Sequence, residues 1–273
     1  MNPDLNRHFI HGPVVLSESR SNMRILGIIP ARYASTRFPG KPLALIGGQP
    51  MIRRVFEQAS RASGLSAVVV ATDDSRIADA VRGFGGDVVM TAVSHPSGTD
   101  RCAEALSVAG DGYEAVINIQ GDEPFIRPEQ IDQLCNLISA EGSQIATLAR
   151  KIGAEDELSN PNLPKVVIGV DGRALYFSRQ AIPYLKGVPV SDWYRHHLYF
   201  KHIGIYAYRS EVLKLITALP PGILEQAESL EQLRWLENGY SLHVGITDSE
   251  TIAVDTPEDL VAACDFFNKV YGV

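Results

Sequence analysis

The amino-acid sequence predicts an α/β fold in which a mixed, mostly parallel β-sheet is flanked by helices. Short apolar runs typical of buried strands alternate with segments whose apolar residues recur at helical spacing. Strands separated by helices pair in parallel through right-handed crossovers. From about Asn160 the alternation gives way to a hairpin and a loop rich in Pro, Gly and aromatic residues. This change of pattern predicts a smaller second lobe.

The first predicted strand begins at Arg24, and a loop bounded by Pro30 and Pro42 follows it. Proline cannot extend a central strand, and Gly40 inside the loop permits unusual backbone angles. The loop lies at the carboxyl end of the first strand, where open α/β sheets bind ligands. It carries three cations, at Arg32, Arg37 and Lys41, and from residue 22 to 61 there are seven Lys/Arg against one acid. A basic loop of this kind indicates a polyanion such as a triphosphate.

The phosphate site belongs to neither of two common glycine-rich classes. A Walker A loop ending at Gly40-Lys41 would need a glycine at Ser35 and a Ser or Thr at Pro42. GxGxxG is also absent from this loop. The alternative is a solvated surface loop, but cations on a Pro/Gly-rich loop directly after a buried strand favour ligand binding.

The elements that follow are predicted in order from apolar spacing and from capping residues. In the first half, helices are expected over 50–59, 75–84 and 128–140. A further helix is expected to follow the 94–101 loop and to end at about residue 108. The strands between them cover 67–71, 87–90, 115–119 and 145–150. The run 72–74 supplies an N-cap for the helix that starts at Ser75.

In the second half, strands over 165–170 and 173–178 form a hairpin around Asp171-Gly172. A loop covers 183–197, and then come a strand over 199–208, helices over 210–218 and 224–237, and a strand over 242–246. Thr256 caps the final helix and Pro257 opens it. We expect one domain over 23–273, with a nucleotide half at 23–150 and a second-substrate half at 151–273. Residues 1–22 are polar and unpatterned, and are predicted to be a disordered leader.

Composition limits the class of protein. A net charge of −7 argues against non-specific binding of nucleic acid. No apolar run approaches the roughly 20 residues that a membrane span needs. Three scattered cysteines favour reduced thiols, and therefore a cytoplasmic location.

Two aspartates are candidate metal ligands. Asp122 follows the fourth buried strand in the run 120–124, and a carboxylate facing cations and phosphate fits Mg²⁺. The alternative there is a β-turn with a capping acid. Asp255 by itself is most simply a turn residue at a strand end. It becomes a second metal ligand only if the fold brings it to Asp122.

Further polar residues stand at element boundaries. Ser97 to Arg101 and Tyr176 to Arg179 each combine hydroxyls with an arginine, whose fork suits carboxylate or phosphate. The alternatives are helix capping for the first run and an edge-strand cation for the second. His202 and Tyr206 share one face of the strand over 199–208, where a hydrogen-bonded core histidine is as good an interpretation as a ligand contact.

The sequence resembles the bacterial 3-deoxy-manno-octulosonate (Kdo) cytidylyltransferases, the CMP-Kdo synthetases, from about Ile25 to Leu260. Nine segments in the order of that family carry the resemblance: IIPARYASTRFPGKPL, VVVATDD, SGTDR, INIQGDEP, NPNLPKVV, ALYFSRQAIPY, KHIGIYAYR, LEQAESLEQLRWLENG and VDTPEDL. Acylneuraminate cytidylyltransferases are similar in fold, but have a glycine-rich stretch where this chain has the run 33–36.

The resemblance implies a Rossmann-like nucleotide-diphospho-sugar transferase fold, a cytoplasmic homodimer, Mg²⁺ as cofactor, and CTP and Kdo as substrates for lipopolysaccharide biosynthesis. It implies catalytic roles for Arg32, Lys41, Asp122 and Asp255, with the two aspartates as metal ligands. The nucleotide-binding residues would be Pro30, Ala31, Arg32, Arg37, Lys41, Ser97, Gly98 and Gln120. The Kdo-binding residues would be Arg101, Arg179, His202, Tyr206, Glu231 and Gln232. Two alternatives stay open: activation of another 2-keto acid sugar of the sialic acid type, and a non-catalytic nucleotide-sugar sensor.

Overall fold

A computed structural model describes residues 23–35, 37–110, 112–249 and 252–272. The predicted leader at 1–22 lies outside these ranges. Within them, none of the helices has the length and apolar character that a membrane crossing requires.

The central feature is a mixed β-sheet, which within the described ranges has nine strands. The strands are β1 (Ile25–Ala31), β4 (Ala67–Thr72), β5 (Val88–Met90), β6 (Ala115–Asn118), β7 (Ile145–Lys151), β8 (Lys165–Ile168), β9 (Ala174–Ser178), β10 (Phe200–Arg209) and β11 (Leu242–Ile246). The main path of the sheet runs β11-β7-β10-β6-β1-β4-β5, while β8 pairs with β10, and β9 with β8. A separate hairpin consists of β2 (Leu45–Ile46) and β3 (Gln49–Pro50).

Helices cover both faces of the sheet and cap its edges. They are α1 (Met51–Ala59), α2 (Ser75–Gly83), α3 (Gly98–Ala109), α4 (Pro128–Ser139), α5 (Glu155–Ser159), α6 (Trp193–His196), α7 (Ser210–Thr217), α8 (Ile223–Glu228), α9 (Gln232–Glu237) and α10 (Pro257–Tyr271). The predicted α/β fold with a mostly parallel sheet is therefore confirmed.

The core has two main layers because β1 and its neighbours are apolar on both faces. Ile29 of β1 packs with Val55 of α1 and Leu134 of α4 on one face. Ile28 packs on the other face in the cluster that contains Leu213 of α7. Parallel strands buried on both sides are near-continuous apolar runs, which is why the sequence reveals them.

Strand order places a crevice at the centre of the sheet. β1 pairs in parallel with β4 on one side and with β6 on the other. The chain passes from β1 to β4 and β5 before it returns to β6, so the crossovers reverse direction between β1 and β6. Open α/β sheets bind ligands at such a reversal, outside the carboxyl ends of the strands.

Pro30 lies inside β1 and not in the following loop, which corrects the predicted loop boundary. Pro30 still pairs with Ala71 of β4. On the β6 side the ladder ends where Ile119 N donates to Ile28 O at 2.9 Å. Because alternate residues of a strand face the same neighbour, the Pro30 nitrogen points to the side where pairing has ended. A missing N–H there costs no ladder hydrogen bond.

The helix predicted over 224–237 is wrong as a single element. It is two helices, α8 and α9, separated at Ser229, whose φ of 51° is left-handed. The carbonyl oxygens freed at the break are bound by a side chain from the residue after β9: Arg179 Nε donates to Glu228 O at 2.7 Å and Nη2 to Ser229 O at 3.1 Å. Helical spacing in the sequence cannot reveal a break that a distant arginine stabilises.

Other predicted elements agree closely with the structure. β8 and β9 form the expected antiparallel hairpin. Asp74 caps α2 by accepting from Arg76 N, and Thr256 caps α10 by accepting from Asp259 N. Two short helices were not predicted: α5, and α6 inside the 183–197 loop.

We expect Gly121→Ala to destabilise the protein by about 1–3 kcal/mol, the usual range for overpacking. A Cβ at Gly121 would lie 2.8 Å from the backbone oxygen of Pro30, which cannot rotate away. The free energy of unfolding in urea would measure the loss. The matched control is Gly83→Ala at the end of α2, where a Cβ meets no atom within 4 Å. Equal stabilities for the two variants would contradict the close approach.

Candidate active site

An open cavity of about 290 Å³ lies at the carboxyl ends of β1 and β6. Its walls come from the loop after β1, the segment before α3, the loop after β6 and the start of α10. The lining residues are Pro30, Ala31, Arg32, Ser35, Arg37, Lys41, Pro42, His95, Pro96, Ser97, Gly98, Arg101, Gln120, Gly121, Asp122 and Asp255. All the residues predicted to bind nucleotide or metal are in this set, and so is Arg101 of the predicted Kdo set.

The loop after β1 is shaped by a glycine and an aromatic ring. Gly40 has a φ of 72°, and its N–H donates to Tyr33 O at 2.9 Å. A Cβ there would lie 3.0 Å from the Tyr33 ring, so the ring covers the turn closely. The guanidinium carbon of Arg76 lies 3.3 Å from the centroid of the same ring. The turn therefore directs Arg37 and Lys41 back toward the cavity.

Lys41 joins the two predicted metal ligands. Its Nζ lies 2.7 Å from Asp122 Oδ2 and 3.1 Å from Asp255 Oδ1. The Lys41 side chain is only 13% exposed, so this is a largely buried contact between one ammonium and two carboxylates. Arg37 Nη2 also reaches Asp255 Oδ1 at 3.2 Å, from a side chain that is 67% exposed. The fold thus brings Asp122 and Asp255 to the same cation.

Asp255 is held there by the backbone around it. Val254 N donates to Asp122 O at 2.9 Å, which ties the two aspartate segments together. The Asp259 carboxylate accepts from the backbone N–H groups of Asp255 and Thr256 at 3.0 and 2.9 Å. Burial opposes the charge of Asp259, but these hydrogen bonds lower the pKa of its carboxyl below the ordinary value. The first turn of α10 therefore stays anchored beside the cavity.

The N-terminus of α3 forms the opposite wall. Ser97 caps the 12-residue helix, since its Oγ accepts from Asp100 N at 3.1 Å. A Cβ at Gly98 would lie 3.4 Å from Pro30 Cγ, so helix and strand meet closely there. Backbone N–H groups at a helix N-terminus favour anions, which adds to the positive potential of the loop after β1.

Arg101 lines the cavity, but its guanidinium is held by other side chains of the protein. It is 4% exposed, and Nη1 donates to Thr91 Oγ1 and lies 3.3 Å from Asp73 Oδ1. These partners follow β5 and β4, so Arg101 fixes the wall of the cavity in addition to contributing charge to it.

Five of the predicted Kdo-binding residues lie outside that lining, and four of these five are on β10 and around the start of α9. The rings of His202 and Tyr206 are 5.2 Å apart, and Tyr206 contacts Trp235. Burial lowers the pKa of His202 to about 3, so its imidazole is neutral, and Nε2 lies 2.9 Å from Thr147 Oγ1. Gln232 is 3% exposed and its Nε2 is one of the buried atoms without a hydrogen-bond partner in the described part of the chain.

Glu231 connects this group to the cavity. Its Oε2 accepts from Thr99 Oγ1 at 2.8 Å, on the residue after Gly98. Burial raises the pKa of the Glu231 carboxyl, while the hydroxyls of Thr99 and Ser97 lower it. Arg179 lies apart from this contact, because its three nitrogens donate to the carbonyl oxygens of Glu228, Pro161 and Ser229.

Sequence reasoning missed two residues of this region. The sequence analysis includes Thr99 only as part of the run 97–101, for which an anion site and helix capping are the two interpretations. His95 lines the cavity, and its Nε2 makes a short contact with Glu104 Oε2, which also accepts from Ala92 N at 2.8 Å. Nothing in the spacing of these residues distinguishes them from ordinary helix-start residues.

Comparison with known proteins gives a consistent family assignment. A sequence model of a cytidylyltransferase family matches residues 26–252. The 3-deoxy-manno-octulosonate cytidylyltransferase of Parabacteroides distasonis is 56% identical over 248 residues, covering 89% of this chain and 98% of its own length. The enzyme of the same name from Thermodesulfovibrio yellowstonii is 49% identical, covering 86% of this chain and 95% of its own length.

Solved structures agree. A CMP:2-keto-3-deoxy-manno-octonic acid synthetase complexed with CTP aligns with a TM-score of 0.84 at 40% identity, covering 90% of this chain and 99% of that one. A 4-diphosphocytidyl-2C-methyl-D-erythritol synthase from Anaerococcus prevotii aligns with a TM-score of 0.58 at 16% identity, covering 91% of this chain and 100% of that one, a similarity of fold alone. The predicted nucleotidyltransferase fold and the resemblance are therefore confirmed.

We expect Lys41→Met to lower the free energy of unfolding by about 1–2 kcal/mol, because two partly buried carboxylates would lose their shared cation. Adding Asp122→Asn should recover part of that loss, since one of the two like charges is removed. Urea unfolding at neutral pH of both single variants and the double variant measures the coupling.

The control for this cycle is Arg53→Met, which breaks an i,i+4 pair with Glu57 on the surface of α1 and a hydrogen bond to Gln49. That pair should contribute about 0.5 kcal/mol or less. Additive losses in the Lys41 and Asp122 variants would show that the ammonium does not hold the carboxylates together.

Proposed function

This chain belongs to the cytidylyltransferase family, and we propose that it transfers CMP from CTP to Kdo, giving CMP-Kdo and diphosphate. The observation that carries the proposal is identity of about one half, over nearly the whole length, to enzymes named for this reaction. The cavity between β1 and β6 supports it, because cations, carboxylates and a helix N-terminus converge there. CMP-Kdo would supply lipopolysaccharide biosynthesis.

The phosphates of CTP would bind among the cations of the loop after β1. Within the described residues, Arg32 is exposed and makes no hydrogen bond or ion pair, so its guanidinium is available to a ligand. Arg37 is mostly exposed and Lys41 is mostly buried, so the three cations lie at different depths in one opening. Arginine forks and a lysine point charge are the usual partners of phosphate oxygens. Ser97, Gly98 and Gln120 would contact the nucleoside part.

The residues at the cavity fit a magnesium ion. Asp122 and Asp255 already converge on one cation, the Lys41 ammonium. Within the described ranges, no three His, Cys, Asp or Glu side chains come together in a group that could hold a metal ion, so protein side chains alone do not complete a metal shell there. Mg²⁺ commonly takes one or two carboxylates together with phosphate oxygens and water. When bound, the ion would reduce the negative charge on the α-phosphate and polarise it.

In the reaction the anomeric hydroxyl oxygen of Kdo forms a bond to the α-phosphorus of CTP. The bond from that phosphorus to the bridging oxygen breaks, diphosphate leaves with the electron pair, and the hydroxyl proton is released. Lys41, Arg32 and Arg37 would offset the charge that develops on the leaving diphosphate. Such transfers depend mainly on alignment and charge neutralisation, so a rigid cavity wall contributes directly to the rate.

The sugar acid would lie between the cavity and the group formed by His202, Tyr206, Glu231 and Gln232. Glu231 accepts hydrogen bonds and stands beside the N-terminus of α3, so it suits sugar hydroxyls. Arg101 would supply positive charge for the carboxylate of the sugar acid from the cavity wall. Arg179 would act mainly by holding the α8–α9 break next to Glu231, since its nitrogens donate to backbone carbonyl oxygens.

We also propose a homodimer and a cytoplasmic location. Large apolar side chains are exposed between residues 170 and 190, at Val170, Leu175, Tyr184 and Val190, which is consistent with a surface covered by a second copy. The three cysteines are all free thiols, as expected in a reducing compartment.

A diphosphate-release assay tests the function. Purified protein with Mg²⁺ should release diphosphate from CTP only when Kdo is present, and less from UTP, ATP or GTP. A sialic acid in place of Kdo distinguishes the related activation of another 2-keto acid sugar. CTP binding by calorimetry with no diphosphate from any sugar acid would instead indicate a sensor and would refute the enzyme assignment.

In the same assay Asp122→Asn should lower turnover by roughly 10²–10³, the usual effect of losing a transition-state contact. Asp79→Asn is the control, because within the described residues Asp79 is exposed and pairs with Arg82 alone on the surface of α2. Circular dichroism would verify that both variants are folded. Turnover retained in Asp122→Asn would exclude that carboxylate from the reaction.

Static light scattering should give twice the chain mass for the wild-type protein. Val170→Asp should shift it toward one chain mass, because a charge would be buried in the proposed interface. Val108→Asp, at an exposed valine outside residues 170–190, should leave the mass unchanged. A wild-type mass equal to one chain at micromolar concentration would contradict the dimer.

A further inference from the structure

A side-chain hydrogen bond joins the nucleotide end of the site to the predicted sugar-acid end. Thr99 Oγ1 donates to Glu231 Oε2 at 2.8 Å across 132 residues of sequence. Thr99 is 2% exposed in the first turn of α3, directly after Gly98, which lines the cavity. Its hydroxyl is therefore shielded from water, and besides donating to this carboxylate it lies beside the Tyr208 hydroxyl.

The surroundings of Glu231 make its carboxylate sensitive to that bond. Titratable and charged groups face it from three elements: Asp100 and Cys102 on α3, Arg234 on α9, and Tyr206 and Tyr208 on β10. Burial and the Asp100 charge raise the pKa of the Glu231 carboxyl, whereas Thr99, Ser97 and Arg234 lower it. Hydrogen-bond donation by the Thr99 hydroxyl is thus one of the few contacts that stabilise the ionised form of the Glu231 carboxyl.

The position of Glu231 in the chain adds to its dependence on Thr99. It follows the break between α8 and α9, where Ser229 is in the left-handed region, and it is the residue before α9 begins. The Thr99 bond ties this junction to the first turn of the 12-residue helix α3.

We propose that Thr99 is a positioning residue of this enzyme, which acts by holding the Glu231 carboxylate ready to accept hydrogen bonds from hydroxyl groups of the sugar acid. The proposal rests on the proposed function. It assigns Thr99 no contact with CTP, although its neighbours Ser97 and Gly98 line the nucleotide cavity. The effect of Thr99 should therefore appear in the binding of the sugar acid and not in that of the nucleotide.

The test is Thr99→Val, a substitution of nearly equal volume that removes only the hydroxyl. With CTP saturating, KM for Kdo should rise by roughly tenfold or more, as for loss of a hydrogen bond to a charged group. With Kdo saturating, KM for CTP should change less than twofold. Thr99→Ser keeps the donor and should stay close to wild type. Thr217→Val is the matched control, since it removes a hydroxyl that donates to backbone oxygens within α7 and, in the part of the chain that the structure describes, to nothing else.

A double-mutant cycle separates positioning from a general structural effect. If Thr99 acts through Glu231, adding Thr99→Val to Glu231→Gln should produce little further rise in KM for Kdo. A structural effect would instead raise both KM values and lower the melting temperature of Thr99→Val in either background.

The pH profile gives an independent readout. Losing the Thr99 hydroxyl should raise the pKa of Glu231, because the ionised form loses a donor. The acid limb of kcat/KM for Kdo should then shift to higher pH in Thr99→Val, and Thr99→Ser should reverse the shift. In the Glu231→Gln background, Thr99→Val should produce no shift.

Two results would overturn the proposal: an unchanged KM for Kdo in folded Thr99→Val, or equal rises in KM for Kdo and CTP. Failure of the proposed function is a separate outcome, because the wild-type protein would then release no diphosphate with Kdo.

Discussion

The contact of the Lys41 ammonium with Asp122 and Asp255 is the interaction on which the site depends. The three residues come from the loop after β1, the loop after β6 and the start of α10. Two carboxylates at strand ends would repel each other if no cation stood between them. One buried lysine offsets both charges and draws together segments that are 81 and 214 residues from it in sequence. The charges that stabilise the fold here are therefore the same charges that would bind the substrate.

Close backbone approach is the second constraint. The loop after β6 passes so near β1 that only glycine fits at position 121, and the first turn of α3 packs against Pro30 at position 98. Small residues at these points bring the carboxyl ends of β1 and β6 and the N-terminus of α3 around one cavity.

Local sequence predicted the buried strands well, because β1, β4 and β6 are apolar on both faces and need no distant information. It also placed Asp122 and the basic loop at a strand edge. It could not place Asp255 beside Asp122, since the hydrogen bond from Val254 N to Asp122 O is a tertiary contact. Ser229 reads as an ordinary helix residue, and the Arg179 side chain that binds the carbonyl oxygen of Ser229 at the break is 50 residues away in sequence. The sequence shows which residues are polar, whereas the tertiary contacts of those residues decide what their polar groups bind.

The helix α3 does more than form one wall of the cavity. Its first turn presents Ser97 and Gly98 to the cavity and Thr99 to Glu231, so neighbouring residues of one rigid element serve the two ends of the site. Both contacts come from one turn of one helix, so under the proposed function the protein would set the spacing between the two ends of the site before either substrate binds. In-line attack on the α-phosphorus would be sensitive to that spacing, because a displacement of about 1 Å can cost two orders of magnitude in rate. A short helical turn would then fix the distance without either substrate ordering the other's binding residues.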